Sequence, residues 1–169
     1  RRSPPPPRPR LPLLLRGVSA YRGGREVLRS VDLSIRQHEC MIVLGHNGSG
    51  KTTLLRSVQG LVKTTGEITN APLDREALYI GSSPPIFSSL DVAGNITYGY
   101  RGSMEGESRA AFEDACLKLN IVDAEGRPPR SLSDGEKQRI SFARLLFSVN
   151  MNLIPYMRFL LLDECDVAL

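Results

Sequence analysis

Long apolar runs are missing from this 169-residue chain. The longest stretches, around Leu13 to Leu15 and Phe159 to Leu162, fall far short of the roughly 20 residues that a helix needs to cross a bilayer. A helical membrane span is therefore excluded. Cysteine is scarce as well. Cys40, Cys116 and Cys165 are far apart, odd in number and form no C-x-x-C pair, so neither a disulfide framework nor a zinc site is indicated and a reducing compartment fits best. Internal repeats are absent. So is any excess of charge once one segment is set aside. The formal net charge of +4 comes from Arg1, Arg2, Arg8 and Arg10, which stand in an opening stretch without a single acid, and the rest of the chain balances. The basicity is thus no sign of a nucleic-acid-binding face. The opening RRSPPPPRPR lacks amide donors at its prolines, which predicts an extended, disordered, solvated tail over residues 1–12. Residue 1 is Arg rather than Met, so the start of the protein is expected to lie upstream. An arginine-rich, acid-free leader has the composition of an organelle transit peptide, and a mistranslated flank has the same composition.

The whole chain is 41% hydrophobic and 24% charged, the balance of a globular domain. A chain of this length can bury roughly two-thirds of its unfolded surface, and one compact domain is expected. Leu13 to Ser19 and Val27 to Ile35 alternate like strands around the turn Arg22-Gly23-Gly24, predicting an antiparallel β layer. Cys40 to Leu44 is a continuous apolar run ending at a glycine, the pattern of a strand buried on both faces. Lys51 to Leu61 has helical spacing, with Gly60 near its end. A strand is predicted at Ala77 to Ile80. Helical composition follows from Asp91 to Asn120, interrupted at Arg101-Gly102-Ser103. After Pro128-Pro129 comes a strong helix over Asp134 to Phe147, and then a second fully buried strand, Phe159 to Leu162.

Three segments carry chemistry. Gly45-His46-Asn47-Gly48-Ser49-Gly50-Lys51-Thr52 matches G-x-x-x-x-G-K-[ST] and lies between a predicted strand and a predicted helix. Glycines let the backbone curl so that successive N–H groups point at phosphate oxygens, and the helix N-terminus adds its positive end. Lys51 supplies a mobile charge for the β and γ phosphates, the Thr52 hydroxyl is a candidate Mg²⁺ ligand, and Thr53 completes the segment. His46 sits at a variable position of the pattern and reads as a solvent-facing loop residue. Phe159-Leu160-Leu161-Leu162-Asp163-Glu164 has the form of a Walker B strand. Asp163 is the candidate to hold Mg²⁺ through its water shell, and Glu164 the candidate general base for the attacking water. The third segment is Leu132-Ser133-Asp134-Gly135-Glu136-Lys137-Gln138-Arg139. Taken alone, Ser133-Asp134 before a helix is an ordinary N-cap.

With these three motifs in order, the chain resembles the nucleotide-binding domain of an ATP-binding cassette (ABC) protein, over roughly residues 13–169. That family's signature is L-S-G-G-Q; here it reads L-S-D-G-E. The resemblance implies an α/β P-loop NTPase with a mixed sheet, an N-terminal antiparallel β layer and a small helical subdomain at about 91–147, incomplete at the C-terminus. It implies that Tyr21 stacks on adenine with Val27 packed beside it, and that Ser133, Gly135 and Glu136 meet the γ-phosphate on a second cassette. The implied cofactors are ATP and Mg²⁺. The implied partners are a second ATP-binding domain in a head-to-tail dimer and a transmembrane permease subunit docked near residues 82–100. That arrangement would tie the chain to the cytoplasmic or organelle-matrix face of a membrane. The run A-L-Y-I-G-S-S-P-P-I-F-S-S-L-D-V-A-G-N-I is similar to that of the haem-exporter subunit of cytochrome c maturation.

Three departures from the family pattern stand out. Ser82 or Ser83 occupies the place of a glutamine that reaches the metal and the attacking water, and both are too short to reach equivalently. Asp134 and Glu136 bring acids to a phosphate-docking site, which costs affinity unless Lys137 and Arg139 compensate. Residues 148–157 lengthen the span between signature and Walker B, and Pro155 would break a continuing helix. An intron read as coding would have the same effect. The chain also stops at Asp166-Val167-Ala168-Leu169, one residue before the acid of the loop that follows in the family. The leading expectation is a transport ATPase subunit. A non-catalytic fragment that binds ATP without turnover, and a soluble cassette acting on nucleic acid or ribosomes, stay open beside it.

Overall fold

The computed structural model describes residues 12–72, 76–81 and 83–164. The expected tail, apart from Pro12, lies outside the described residues. So do Ser82, Cys165 and the Asp166–Leu169 ending. The chain divides into two compact units between Ala77 and Leu78.

The first unit opens with strands β1 (Leu13–Arg22) and β2 (Arg25–Ile35), joined at a tight turn through Gly23 and Gly24. They pair antiparallel from Leu13 opposite Ile35 to Arg22 opposite Arg25, with irregularities near Gly17 and Ser19. There the amide of Gly17 donates to Asp32 Oδ1 at 2.8 Å and that of Ser30 to Ser19 Oγ at 2.9 Å, so side chains replace the ladder bonds that the irregularities remove. Helix α1 (Lys51–Val58) follows, and then β3 (Thr64–Thr69), which pairs antiparallel on the other side of β1. The sheet order is β2-β1-β3. Leu13, Leu15, Val18, Ala20 and Leu28 of the sheet are buried, as are Leu54 and Val58 of α1. The helix ends where Gly60, at φ +72°, lets Leu61 N–H return to Arg56 O at 2.9 Å.

Residues 40–44 do not form the buried strand expected of them. All five are exposed, Ile42 at 77% and Leu44 at 87%. A strand requires a neighbour for its amides, and among the described residues neither sheet takes this run in. Apolar composition alone does not supply that neighbour.

The second unit takes in β4 (Ala77–Ile80) from Leu78 onward and β5 (Phe159–Leu162), which form a two-stranded sheet. Between them lie α2 (Val92–Ile96), α3 (Glu107–Lys118) and α4 (Asp134–Asn150). Val92, Ile96, Ala111, Phe112, Ala115, Ile140, Ala143 and Phe147 make the helical core, with Ala124 and Leu132 closing it. Tyr100 meets Phe147 edge to face, the rings 5.6 Å apart and 86° inclined. Helix α4 stops at Asn150, five residues short of Pro155, because Asn152 turns into a left-handed conformation and Leu153 N–H closes on Ser148 O at 2.8 Å. The proline is therefore not what ends it. β5 also departs from the expected full burial: Leu161 is buried, but Leu160 and Leu162 are exposed. A two-stranded sheet covered on one face shows this alternation.

Candidate functional site

In the first unit the loop 45–50 curls tightly before α1. Ser49 N–H returns to His46 O at 3.2 Å, and Gly48 and Gly50 have φ of +81° and +100°, a backbone conformation that residues with a Cβ rarely adopt. Gly50 faces a further restriction. A Cβ placed on it would lie 2.9 Å from Leu28 Cδ2 and 3.3 Å from both Cγ1 and the carbonyl oxygen of Val27. The absence of a side chain lets the loop seat directly on β2, and this brings Val27 to the phosphate-loop segment. Lys51 folds back over the same loop, its ammonium donating to Gly45 O at 2.7 Å and His46 O at 3.1 Å. Its charge is held at the mouth of the curl. Thr52 is half-buried and Thr53 buried, while His46, Asn47, Gly48 and Ser49 are exposed, as His46 was expected to be. Tyr21 is an exposed residue at the far end of β1, opposite Glu26.

The other site residues belong to the second unit. Ser133 caps α4 through a capping box: its hydroxyl accepts from Glu136 N–H at 3.3 Å, and its own N–H donates to Glu136 Oε2 at 2.9 Å. Glu136 further accepts from Arg127 at 2.5 Å. The Ser133 N–H, the Arg127 guanidinium and the Ser133 hydroxyl together hold the Glu136 carboxyl down at about 2. Asp134 pairs with Lys137 at 2.8 Å. Both signature acids are therefore matched by a cation. For Asp134 it is the expected Lys137, whereas for Glu136 it is Arg127 rather than Arg139. Gly135 lies between them on the first turn of α4.

Asp163 follows β5 and is buried, with its N–H donating to Ile80 O at 2.9 Å and its Oδ2 accepting from the Tyr79 hydroxyl at 2.7 Å. Glu164 is exposed and has φ +53°, an uncommon conformation for a residue that is not glycine. Its carbonyl oxygen accepts from Gln138 Nε2 of α4 at 3.1 Å. The signature helix and the acid pair are thus tied together inside one unit. Below them, Arg144 of α4 donates to the carbonyl of Asn95 at 2.7 Å and to its side-chain oxygen at 3.1 Å. Burial lowers the pKa of this guanidinium. The buried Asn95 in turn bonds Phe87 in both directions, N–H at 2.8 Å and carbonyl at 3.0 Å.

Arg127, Gln138 and Tyr79 were not singled out from sequence. Gln138 stands inside the quoted signature stretch, where a side chain on the buried face of a polar helix start is a detectable signal. Arg127 and Tyr79 leave no such trace, because each acts through a contact distant in sequence. Ser82 lies outside the described residues, and the neighbouring Ser83 is exposed.

Thr52 and Asp163 each offer a hard oxygen donor. Mg²⁺ is usually held by one or two such protein ligands together with phosphates and water, so the donor types fit it. Among the described residues no cluster of three or more His, Cys, Asp or Glu could hold a metal by itself.

The family model described as ABC transporter matches residues 28–166. The chain belongs to the ABC transporter family. Its similarity extends to an Fe(3+) ions import ATP-binding protein of Streptomyces coelicolor, 37% identical over 163 residues, 90% of this chain and 45% of that protein. It extends also to a cytochrome c biogenesis ATP-binding export protein of Nitrobacter hamburgensis, 34% identical over 143 residues, 77% of this chain and 68% of that protein. A solved ATP-binding subunit of an ABC transporter superposes with a TM-score of 0.63 at 19% identity, covering 90% of this chain and 79% of that one, which shows the α/β P-loop fold. The chain spans about 45% of the length of the first relative. Among the described residues no helix of this ABC family member is long and apolar enough to cross a membrane.

Proposed function

We propose that the chain is the ATP-binding part of an ABC transporter subunit, in which Gly45 to Thr53 bind the phosphates of Mg·ATP. The observation that carries this is the loop itself: positive-φ glycines seated on β2 and a lysine ammonium folded over two of the loop's own carbonyls at 2.7 and 3.1 Å. An ammonium held by neutral acceptors at a helix N-terminus exchanges them readily for phosphate oxygens, which bind it more strongly. Thr52 and Asp163 are the Mg²⁺ ligands of this reading. When bound, the ion neutralises phosphate charge. Glu164 is its general base, the residue that takes the proton of the attacking water. Its unusual backbone conformation, held by Gln138, sets the direction in which its carboxylate leaves the strand. Tyr21 and Val27 are the adenine contacts, and Ser133, Gly135 and Glu136 the face offered to a second ATP-binding domain.

The partners of this reading are that second domain and a permease that holds the chain at a membrane. Haem export for cytochrome c maturation is the narrower second reading. It is favoured by the similarity of the 77–96 run and by the export relative, of which the match covers 68%. The iron-import relative supports transport with a different cargo. Calorimetry with Mg·ATP and with AMP tests the first reading. Binding of ATP at least about 10-fold tighter than AMP is expected, since the loop recognises the β and γ phosphates. Equal affinities would contradict it.

A further inference from the structure

The pairing of β4 with β5 places Tyr79 beside Asp163. Asp163 N–H donates to Ile80 O at 2.9 Å, carrying the backbone pairing one residue past the end of β5, and the Tyr79 hydroxyl donates to Asp163 Oδ2 at 2.7 Å. The Tyr79 ring lies over Gly81. A Cβ at residue 81 would sit 3.1 Å from Tyr79 Cε1, 3.2 Å from its hydroxyl oxygen and 3.4 Å from Cζ, so the missing side chain is the space that the ring uses. A phenylalanine would fill the same space, so packing does not explain the hydroxyl. What the hydroxyl adds is a bond to the carboxylate. The last torsion of an aspartate is broad and roughly two-fold, and a carboxylate accepts at about four lone-pair positions. A donor on Oδ2 at 2.7 Å selects one orientation of the group.

We infer that Tyr79 is a positioning residue for Mg²⁺ binding: its hydroxyl, aimed by the ring's seat on Gly81, orients the Asp163 carboxylate toward the metal. This rests on the reading of Asp163 as the magnesium-binding acid. Carboxylates that ligate metals are themselves hydrogen-bonded, and loss of such a partner typically weakens metal binding about 10- to 100-fold.

The test is a Mg²⁺ titration of ATP affinity by calorimetry on the full chain, wild type against Tyr79→Phe, Gly81→Ala and Asp163→Asn, with the metal-free ATP affinity measured in EDTA. Tyr79→Phe is expected to raise the Mg²⁺ midpoint about 10-fold while leaving the metal-free affinity at its wild-type value, a split that a merely structural role would not produce. Gly81→Ala keeps the hydroxyl but crowds the ring, and is expected to move the midpoint the same way. It carries the test if Tyr79→Phe does not fold. A wild-type midpoint in folded Tyr79→Phe, or in Gly81→Ala where that is the variant that folds, would overturn the inference while Asp163→Asn is shifted. A wild-type midpoint in Asp163→Asn would overturn the metal role of Asp163 and this inference with it.

Discussion

Glu136 shows how a single residue changes character between sequence and structure. As one of two acids in a phosphate-docking signature it reads as a repulsive charge. In the fold its carboxylate is committed to the Ser133 amide and hydroxyl and to Arg127, which hold its pKa near 2, below the ordinary 4.5. A group with a depressed folded-state pKa contributes stability above its unfolded pKa and loses it as the pH falls through the folded value. The Glu136 contribution is therefore complete above about pH 4.5 and fades toward pH 2. Glu136→Gln, which cannot ionise, should be less stable than wild type at neutral pH, with the gap closing across that window. Thermal unfolding of both proteins from pH 2 to pH 6 measures it, and a gap that stays constant with pH would contradict it. The same contacts bear on ATP. Ser133 presents its N–H and hydroxyl to Glu136, so a γ-phosphate docking on Ser133 competes with this carboxylate for the same donors.

At the level of elements, the helices were legible and two strand assignments were not. Lys51–Val58, Glu107–Lys118 and Asp134–Asn150 are formed where apolar spacing and helix formers predicted them. Ala77–Ile80 and Phe159–Leu162 fall on the predicted strands. Their periodicity is local, and local patterns survive folding. Cys40 to Leu44 was misread because a run of apolar residues states only a wish for burial, and its cover depends on a neighbour that the run does not encode. The β3 strand was missed for the opposite reason. Thr64–Thr69, TTGEIT, has one large apolar residue and a central glycine, and it becomes a strand through pairing with β1 from Leu14 opposite Thr69 to Ala20 opposite Thr64. That pairing depends on Gly66. A Cβ there would lie 2.4 Å from Gly17 O and 2.7 Å from Arg16 O, both backbone atoms that cannot swing aside, whereas a Cβ on Gly60 would enter open space. Both glycines have positive φ, so each replacement by alanine carries a left-handed penalty of about 1 kcal/mol. Gly66→Ala should cost clearly more than Gly60→Ala in denaturant unfolding, by at least about 1 kcal/mol. Equal losses would show that β1 and β3 separate without strain.

Over the whole molecule, the phosphate loop was the most legible part of the candidate site. Its chemistry lies in consecutive residues: the glycines that permit the curl, the lysine that folds over it and the threonines that open α1 are fixed by order alone. The acids and the signature were legible as residues but not as an arrangement. Their partners, Tyr79 for Asp163, Gln138 for Glu164 and Arg127 for Glu136, stand elsewhere in the chain, and the pairings are set by packing. The two compact units carry different parts of the candidate machinery, the phosphate loop in one and the acid pair with the signature helix in the other. The central claim is that the first of these binds the phosphates of ATP through Lys51. Calorimetry of Mg·ATP binding to the full chain and to Lys51→Ala tests it most directly. The account predicts binding by the wild type and a loss of at least about 10-fold in the variant, in line with a charge-assisted contact worth about 1.5–3 kcal/mol. Equal binding by a folded Lys51→Ala chain, or none by folded wild type, would contradict it.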